Sequence, residues 1–127
     1  MFECTLAEDG QLLALRDDRS DETARFHAVW LRDNAMDEAT RAAGNGQRLI
    51  TLADIPADLR MTGAALSDGA LHITFSGDAG TIAFDPHWLM ANRYDRPQDA
   101  GARGWVGDDI TWWDRGLNAR APTARFA

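Results

Sequence analysis

Residues 61–84 read MTGAALSDGALHITFSGDAGTIAF, and their pattern decides the fold class. Leu71, Ile73 and Phe75 alternate with His72 and Thr74, the period of two that gives a strand one buried face. Ser67-Asp68-Gly69 on one side and Gly77-Asp78-Ala79-Gly80 on the other are turn signals. Met61–Leu66 and Thr81–Phe84 flank the central run, with Ile82 and Phe84 on one face. The spacing predicts a three-stranded antiparallel meander.

Asp85-Pro86 then opens a helix, an acidic cap followed by a proline at the first helical position. Trp88, Leu89 and Met90 give that helix apolar bulk, and the pattern ends near Tyr94. Residues 96–104 are polar and contain Gly and Pro, which reads as a linker. The expected organisation is a domain over 1–95 and a Trp-rich segment over 96–127 that holds Trp105, Trp112 and Trp113.

Upstream, Phe2–Leu6 and Gln11–Leu15 read as a hairpin around Asp9-Gly10, and the charged stretch Arg16–Thr23 reads as a loop. Phe26–Leu31 carries apolar residues on both alternating faces, which predicts a central strand. Asp33 or Asn34 is placed to cap a helix over Ala35–Ala43 that stops at Gly44, and Arg48–Leu52 reads as a brief strand. The expected class is α+β: an antiparallel β-sheet domain with one or two short helices.

Composition narrows the functions. The net charge is -7, and all 13 basic residues are Arg, scattered along the chain. Phosphate backbones need clustered cations, so nucleic acid and anionic membrane are excluded as expected partners. No apolar run approaches the ~20 residues that span a bilayer. Met1-Phe2-Glu3-Cys4-Thr5 lacks the basic-then-apolar start of a signal peptide, so a cytoplasmic location is expected. Cys4 is the single cysteine and reads as a small hydrophobe.

Catalytic patterns are missing. A mononuclear iron site of the two-His, one-carboxylate kind would need a His-x-Asp or His-x-Glu pair. His27, His72 and His87 are followed two positions later by Val29, Thr74 and Leu89. No Gly-x-Ser-x-Gly, His-Glu-x-x-His or phosphate-binding glycine loop occurs. Asp17-Asp18 and Asp108-Asp109 are neighbours in sequence, and neighbours on an extended segment point apart. No catalytic, metal or cofactor-binding residue is therefore assigned.

One stretch carries more specific information. Phe26-His-Ala-Val-Trp30-Leu31-Arg32-Asp33-Asn34 contains WLRDN. It resembles the signature near the start of the γ-butyrobetaine and trimethyllysine hydroxylases, oxygenases that use iron and 2-oxoglutarate. Arg48-Leu49-Ile50, Ala70–Phe75 and Phe84–Leu89 resemble further steps of the same N-terminal domain, Ile110–Asp114 resembles the step before the catalytic domain and Pro122–Phe126 the start of the crossing into it, in the same order. The resemblance implies a small domain that precedes, and does not contain, the catalytic one. It also implies a structural zinc held by three Cys after WLRDN and a later His. Here Ala35, Met36, Asp37, Glu38, Ala39 and Thr40 follow Asn34, and the His position falls near Gly80. The expectation is a version with that zinc site lost, in which a helix over Ala35–Ala43 replaces the metal-tied loop.

The resemblance further implies an accessory, non-catalytic role. Iron and 2-oxoglutarate would belong only to a partner catalytic domain or subunit, and this chain would contact that oxygenase or a second copy of itself. The alternative is a stand-alone interaction or scaffold domain of the same fold. The candidate interface comprises Trp30, Arg32, Asp33, Asn34, Trp112 and Trp113, since aromatic and Arg side chains are enriched at interfaces. The competing structural roles are core packing for the Trp residues and capping or ion pairing for Arg32, Asp33 and Asn34.

Overall fold

The computed structural model describes residues 1–95, and beyond them Gly116 and Ala119. The chain divides into two compact units, Met1–Arg96 and Pro97–Ala127. In the second, the Ala119 amide donates to the Gly116 carbonyl at 3.2 Å.

Three strands open the chain: β1 (Phe2–Ala7), β2 (Leu12–Asp17) and β3 (Glu22–His27), antiparallel in the order β1-β2-β3. Helix α1 (Ala28–Asp33) follows β3 without a break. After a long stretch of turns come β4 (Met61–Ser67), β5 (Ala70–Phe75) and β6 (Thr81–Phe84), antiparallel in the order β4-β5-β6, and then helix α2 (Pro86–Ala91). This is an α+β architecture with two antiparallel three-stranded sheets and two short helices, as the sequence predicts. The meander is in the expected place, with Leu71 opposite Leu66 and Phe84, and Ile73 opposite Ala64 and Ile82.

The inward faces of both sheets share one core. Leu13, Leu15 and Phe26 come from the first sheet, and Leu71, Ile73 and Phe84 from the second, all buried. Leu31 of α1 and Leu89 of α2 close it, both fully buried. The sheets are joined where β1 and a short 3-10 turn, Glu8–Gly10, lie against β4. Gly10 is buried with φ +83°, and a Cβ there would sit 2.1 Å from the Met61 carbonyl oxygen. Only a residue with no side chain permits that backbone approach.

Several sequence expectations are corrected. Phe26–Leu31 is not a central strand: β3 stops at His27 and α1 begins at Ala28, and the central strand is β2. The apolar residues that suggested two buried strand faces belong to two periods in series. Ala24 and Phe26 are buried at a spacing of two, Ala28 and Leu31 at a spacing of three. Arg16–Thr23 is not all loop, because β2 runs to Asp17 and β3 starts at Glu22. The Ala35–Ala43 helix does not form; the segment is a series of turns closed by an isolated bridge between Arg41 and Arg48. Its alanines favour helix but offer little apolar surface to bury, while Asp37 and Thr40 side chains bond locally and compete with the helical backbone. The Arg48–Leu52 strand shrinks to that one bridge at Arg48, and α2 ends at Ala91 rather than near Tyr94.

A candidate interface around helix α1

Helix α1 ends in WLRDN, and each residue of that run has a defined contact. Asn34 caps the helix that precedes it, not one that follows. Its backbone amide and its Nδ2 both donate to the Trp30 carbonyl, at 3.0 and 2.9 Å. Two donors on one terminal carbonyl stop a helix of only six residues. Asp33, whose side chain is 18% exposed, lies 3.0 Å from Arg48 Nη1. The same Oδ1 lacks a well-aligned hydrogen bond, so the contact is chiefly one of charge.

Arg32 reaches the loop that replaces the expected helix. Its Nη1 donates to Thr40 Oγ1 at 2.6 Å, and the Thr40 hydroxyl in turn donates to Asp37 Oδ1 in a short contact. Thr40 is fully buried, the single buried polar residue among those described. A hydroxyl can accept from a cation and donate to an anion at once, which explains a Thr at this position. Arg32 and Asp33 thus pin both ends of the 37–48 loop to α1.

Trp30 sits on the opposite contact. Its ring is 5.3 Å from Phe26, 6.0 Å from Trp88 and 5.5 Å from Tyr94, centroid to centroid. These separations are those of interacting aromatic pairs. Trp30 and Trp88 remain half-buried, and Tyr94 is 41% exposed. Trp112 and Trp113 lie outside the described residues.

Tyr94 and Asp95 have a role that the sequence reading missed. β3 is an edge strand, and its outward amides at Arg25 and His27 lack a neighbouring strand. The His27 amide donates to the Tyr94 hydroxyl at 2.9 Å, and the Arg25 amide to Asp95 Oδ2 at 2.9 Å. The Tyr94 hydroxyl also lies 2.7 Å from His27 Nδ1. Arg93 completes the strap with an ion pair to Glu22 at 2.6 Å. No local periodicity announces these contacts, because the partners are some 70 residues apart.

A cleft of about 380 Å³ opens beside Arg32. Ile55 and Leu59 are buried in its wall, and Asp37, Asp54 and Ser76 also line it. Asp54 accepts from the Thr51 amide at 2.8 Å and from the Thr51 hydroxyl at 2.7 Å. Those two bonds, the backbone one first, hold the Asp54 carboxyl below its ordinary range.

The histidines lie on three different elements: His27 ends β3, His72 is on β5 and His87 is in the first turn of α2. Among the described residues no three His, Cys, Asp or Glu side chains come together as a metal site. No donor set of the two-His, one-carboxylate type is therefore found among the described residues. Burial pushes the Cys4 thiol up, which disfavours the thiolate that a nucleophile requires. No helix among the described residues is long and apolar enough to cross a membrane.

No protein-family model matches the chain. The chain is similar to the gamma-butyrobetaine dioxygenase of Pseudomonas sp. (strain AK-1), 31% identical over 75 residues. The match covers 55% of this chain and 18% of that enzyme.

Proposed function

We propose that this chain is a non-catalytic accessory domain or subunit of a gamma-butyrobetaine dioxygenase-like oxygenase. The observation that carries the reading is the similarity itself, which takes in 18% of a dioxygenase. The separation of His27, His72 and His87 on three elements supports the non-catalytic part. In this reading iron and 2-oxoglutarate belong to the partner, and the chain acts through the surface around α1. Trp30, Arg32, Asp33 and Asn34 organise that surface. Trp30 supplies half-buried aromatic area, while Arg32, Asp33 and Asn34 fix the loop and helix end that a partner would meet. Trp112 and Trp113 are proposed as anchors of the same kind.

The test is coexpression of the full chain with the 2-oxoglutarate dioxygenase encoded by the same genome. Copurification of the two, with iron bound by the oxygenase, is the expected result. Oxygen-dependent consumption of 2-oxoglutarate by this chain alone would refute the reading. Failure to associate with the oxygenase would also sink it, and would leave the scaffold alternative.

A further inference from the structure

Arg60 is fixed at its backbone and open at its head. Its amide donates to Ser76 Oγ at 2.9 Å, and its carbonyl accepts from the Ser76 amide at 2.7 Å. The guanidinium donates to the Leu59 carbonyl at 2.9 Å. Among the described residues no carboxylate lies within ion-pair distance of it, whereas Arg16, Arg25, Arg48 and Arg93 each face one. A guanidinium has five N–H donors, so most of its donor capacity is uncommitted. Arg60 lines a cleft of about 350 Å³ together with His27, Val29, Leu52 and Pro56. Val29 is 44% exposed and Leu52 62%, so apolar surface is within reach there. The Tyr94 oxygen already accepts from the His27 amide, so its own proton goes to His27 Nδ1. The other ring nitrogen, Nε2, is then a donor whether the ring is neutral or charged. Among the described residues no Asp or Glu lines this cleft, in a chain of net charge -7. Asp58, the acidic residue nearest to Arg60 in sequence, is not in the lining. The clefts beside Arg32 and Arg19 differ, since Asp37 and Asp54 line the first and Asp68 the second.

We propose that the cleft lined by Arg60, Val29 and Leu52 takes a segment of a partner protein that carries an aliphatic side chain beside a carboxylate. The aliphatic group lies on Val29 and Leu52, and the carboxylate on Arg60. The proposal deepens the accessory reading above and rests on it for the identity of the partner, not for the chemistry of the cleft. The charge argument is local: a cation with spare donors and a second donor at His27 meet no competing carboxylate in the lining. A planar guanidinium matches a carboxylate through two parallel bonds, so Glu or Asp fits better than a neutral amide. A half-exposed ion pair is weak by itself, so Arg60 alone does not hold a free acid. Val29 belongs to α1 and Leu52 to a separate 3-10 turn, Leu52–Asp54. Covering both supplies the attraction, while Arg60 selects the charge of what covers them.

The experiment uses the ¹⁵N-labelled full chain and three probes: the peptides acetyl-Leu-Leu-Glu-amide and acetyl-Leu-Leu-Gln-amide, and free propionate. The Glu peptide should shift the amides of Val29, Leu52 and Ala57, all in the lining. The Gln peptide should bind about fivefold more weakly. Arg60→Gln should lose the same factor against the Glu peptide and nothing against the Gln peptide, which isolates the charge pair. Leu52→Ser should weaken both peptides, whereas Leu49→Ser, at a residue 58% exposed and outside the lining, should weaken neither. Leu52 is exposed and the Arg60 guanidinium holds only the Leu59 carbonyl, so these variants keep the fold. Equal affinity for the Glu and Gln peptides overturns the proposal, as does the absence of any shift at about 10 mM peptide. Propionate binding as tightly as the Glu peptide overturns it too, and reassigns the cleft to a small free acid. A cleft that binds the Glu peptide while no oxygenase copurifies separates failure of the accessory reading from failure of this one.

Discussion

Replacing Gly10 by alanine should be the most damaging small substitution in the chain. Two costs add there. The residue has φ +83°, and a left-handed conformation costs an L residue about 1–2 kcal/mol. The added Cβ would also meet three backbone atoms of Met61, its oxygen at 2.1 Å, its carbon at 3.1 Å and its nitrogen at 3.2 Å. Backbone cannot rotate aside, so β4 must separate from the Glu8–Gly10 turn, at a cost of about 1–3 kcal/mol or more. The sum is roughly 2–5 kcal/mol, a large part of the ~5–15 kcal/mol typical of a domain. Gly69 is the matched control: its φ is +78°, and nothing lies within 4 Å of a Cβ built there. Gly69→Ala should lose only about 1–2 kcal/mol. Urea denaturation of the two full-length variants measures the difference directly. Equal losses, within about 0.5 kcal/mol, would refute the claim that close backbone approach demands glycine at position 10.

Three further outcomes are expected. Thr40→Val removes a buried hydroxyl that serves Arg32 and Asp37 together, and should cost about 1–3 kcal/mol in urea denaturation, with the largest amide shifts in the 37–48 loop. Tyr94→Phe removes one acceptor from the β3 edge and should speed hydrogen exchange at His27 but not at Arg25, whereas Asp95→Ala should do the reverse; exchange measured by NMR distinguishes the two. Asp54 has its folded pKa depressed below 3.8, so its contribution to stability is present above that value and is lost as pH falls through the lower, folded value. Asp54→Asn should therefore flatten the acid limb of the stability curve below about pH 4 and leave its shape near neutrality unchanged, as read by denaturation at several pH values.

The regular part of the fold was legible because its signals are local. Leu71, Ile73 and Phe75 alternate in sequence and are buried in the structure. Asp85 accepts from the His87 amide at 2.8 Å, as an acidic cap before Pro86 should. The reading failed where two periods abut. Phe26, Ala28 and Leu31 look like one apolar run, and only the change of spacing from two to three marks where strand yields to helix. It failed again over Ala35–Ala43, where helix propensity lost to side-chain bonds made by Arg32, Asp37 and Thr40. In the candidate interface, the residue types of Trp30, Arg32, Asp33 and Asn34 could be singled out, but their partners could not. Thr40, Arg48 and Tyr94 are chosen by tertiary geometry, and no spacing rule reports a contact such as that between His27 and Tyr94.

The closure of β3 makes its protection fragile. A fourth strand would shield that edge with many redundant backbone bonds, and no single codon change could undo it. Here two side-chain oxygens take the outward amides of Arg25 and His27. An uncovered edge is a template for another chain. Self-adhesion along β3 is thus held off by two letters of the sequence, Tyr94 and Asp95, and replacing either one bares an outward amide of that edge.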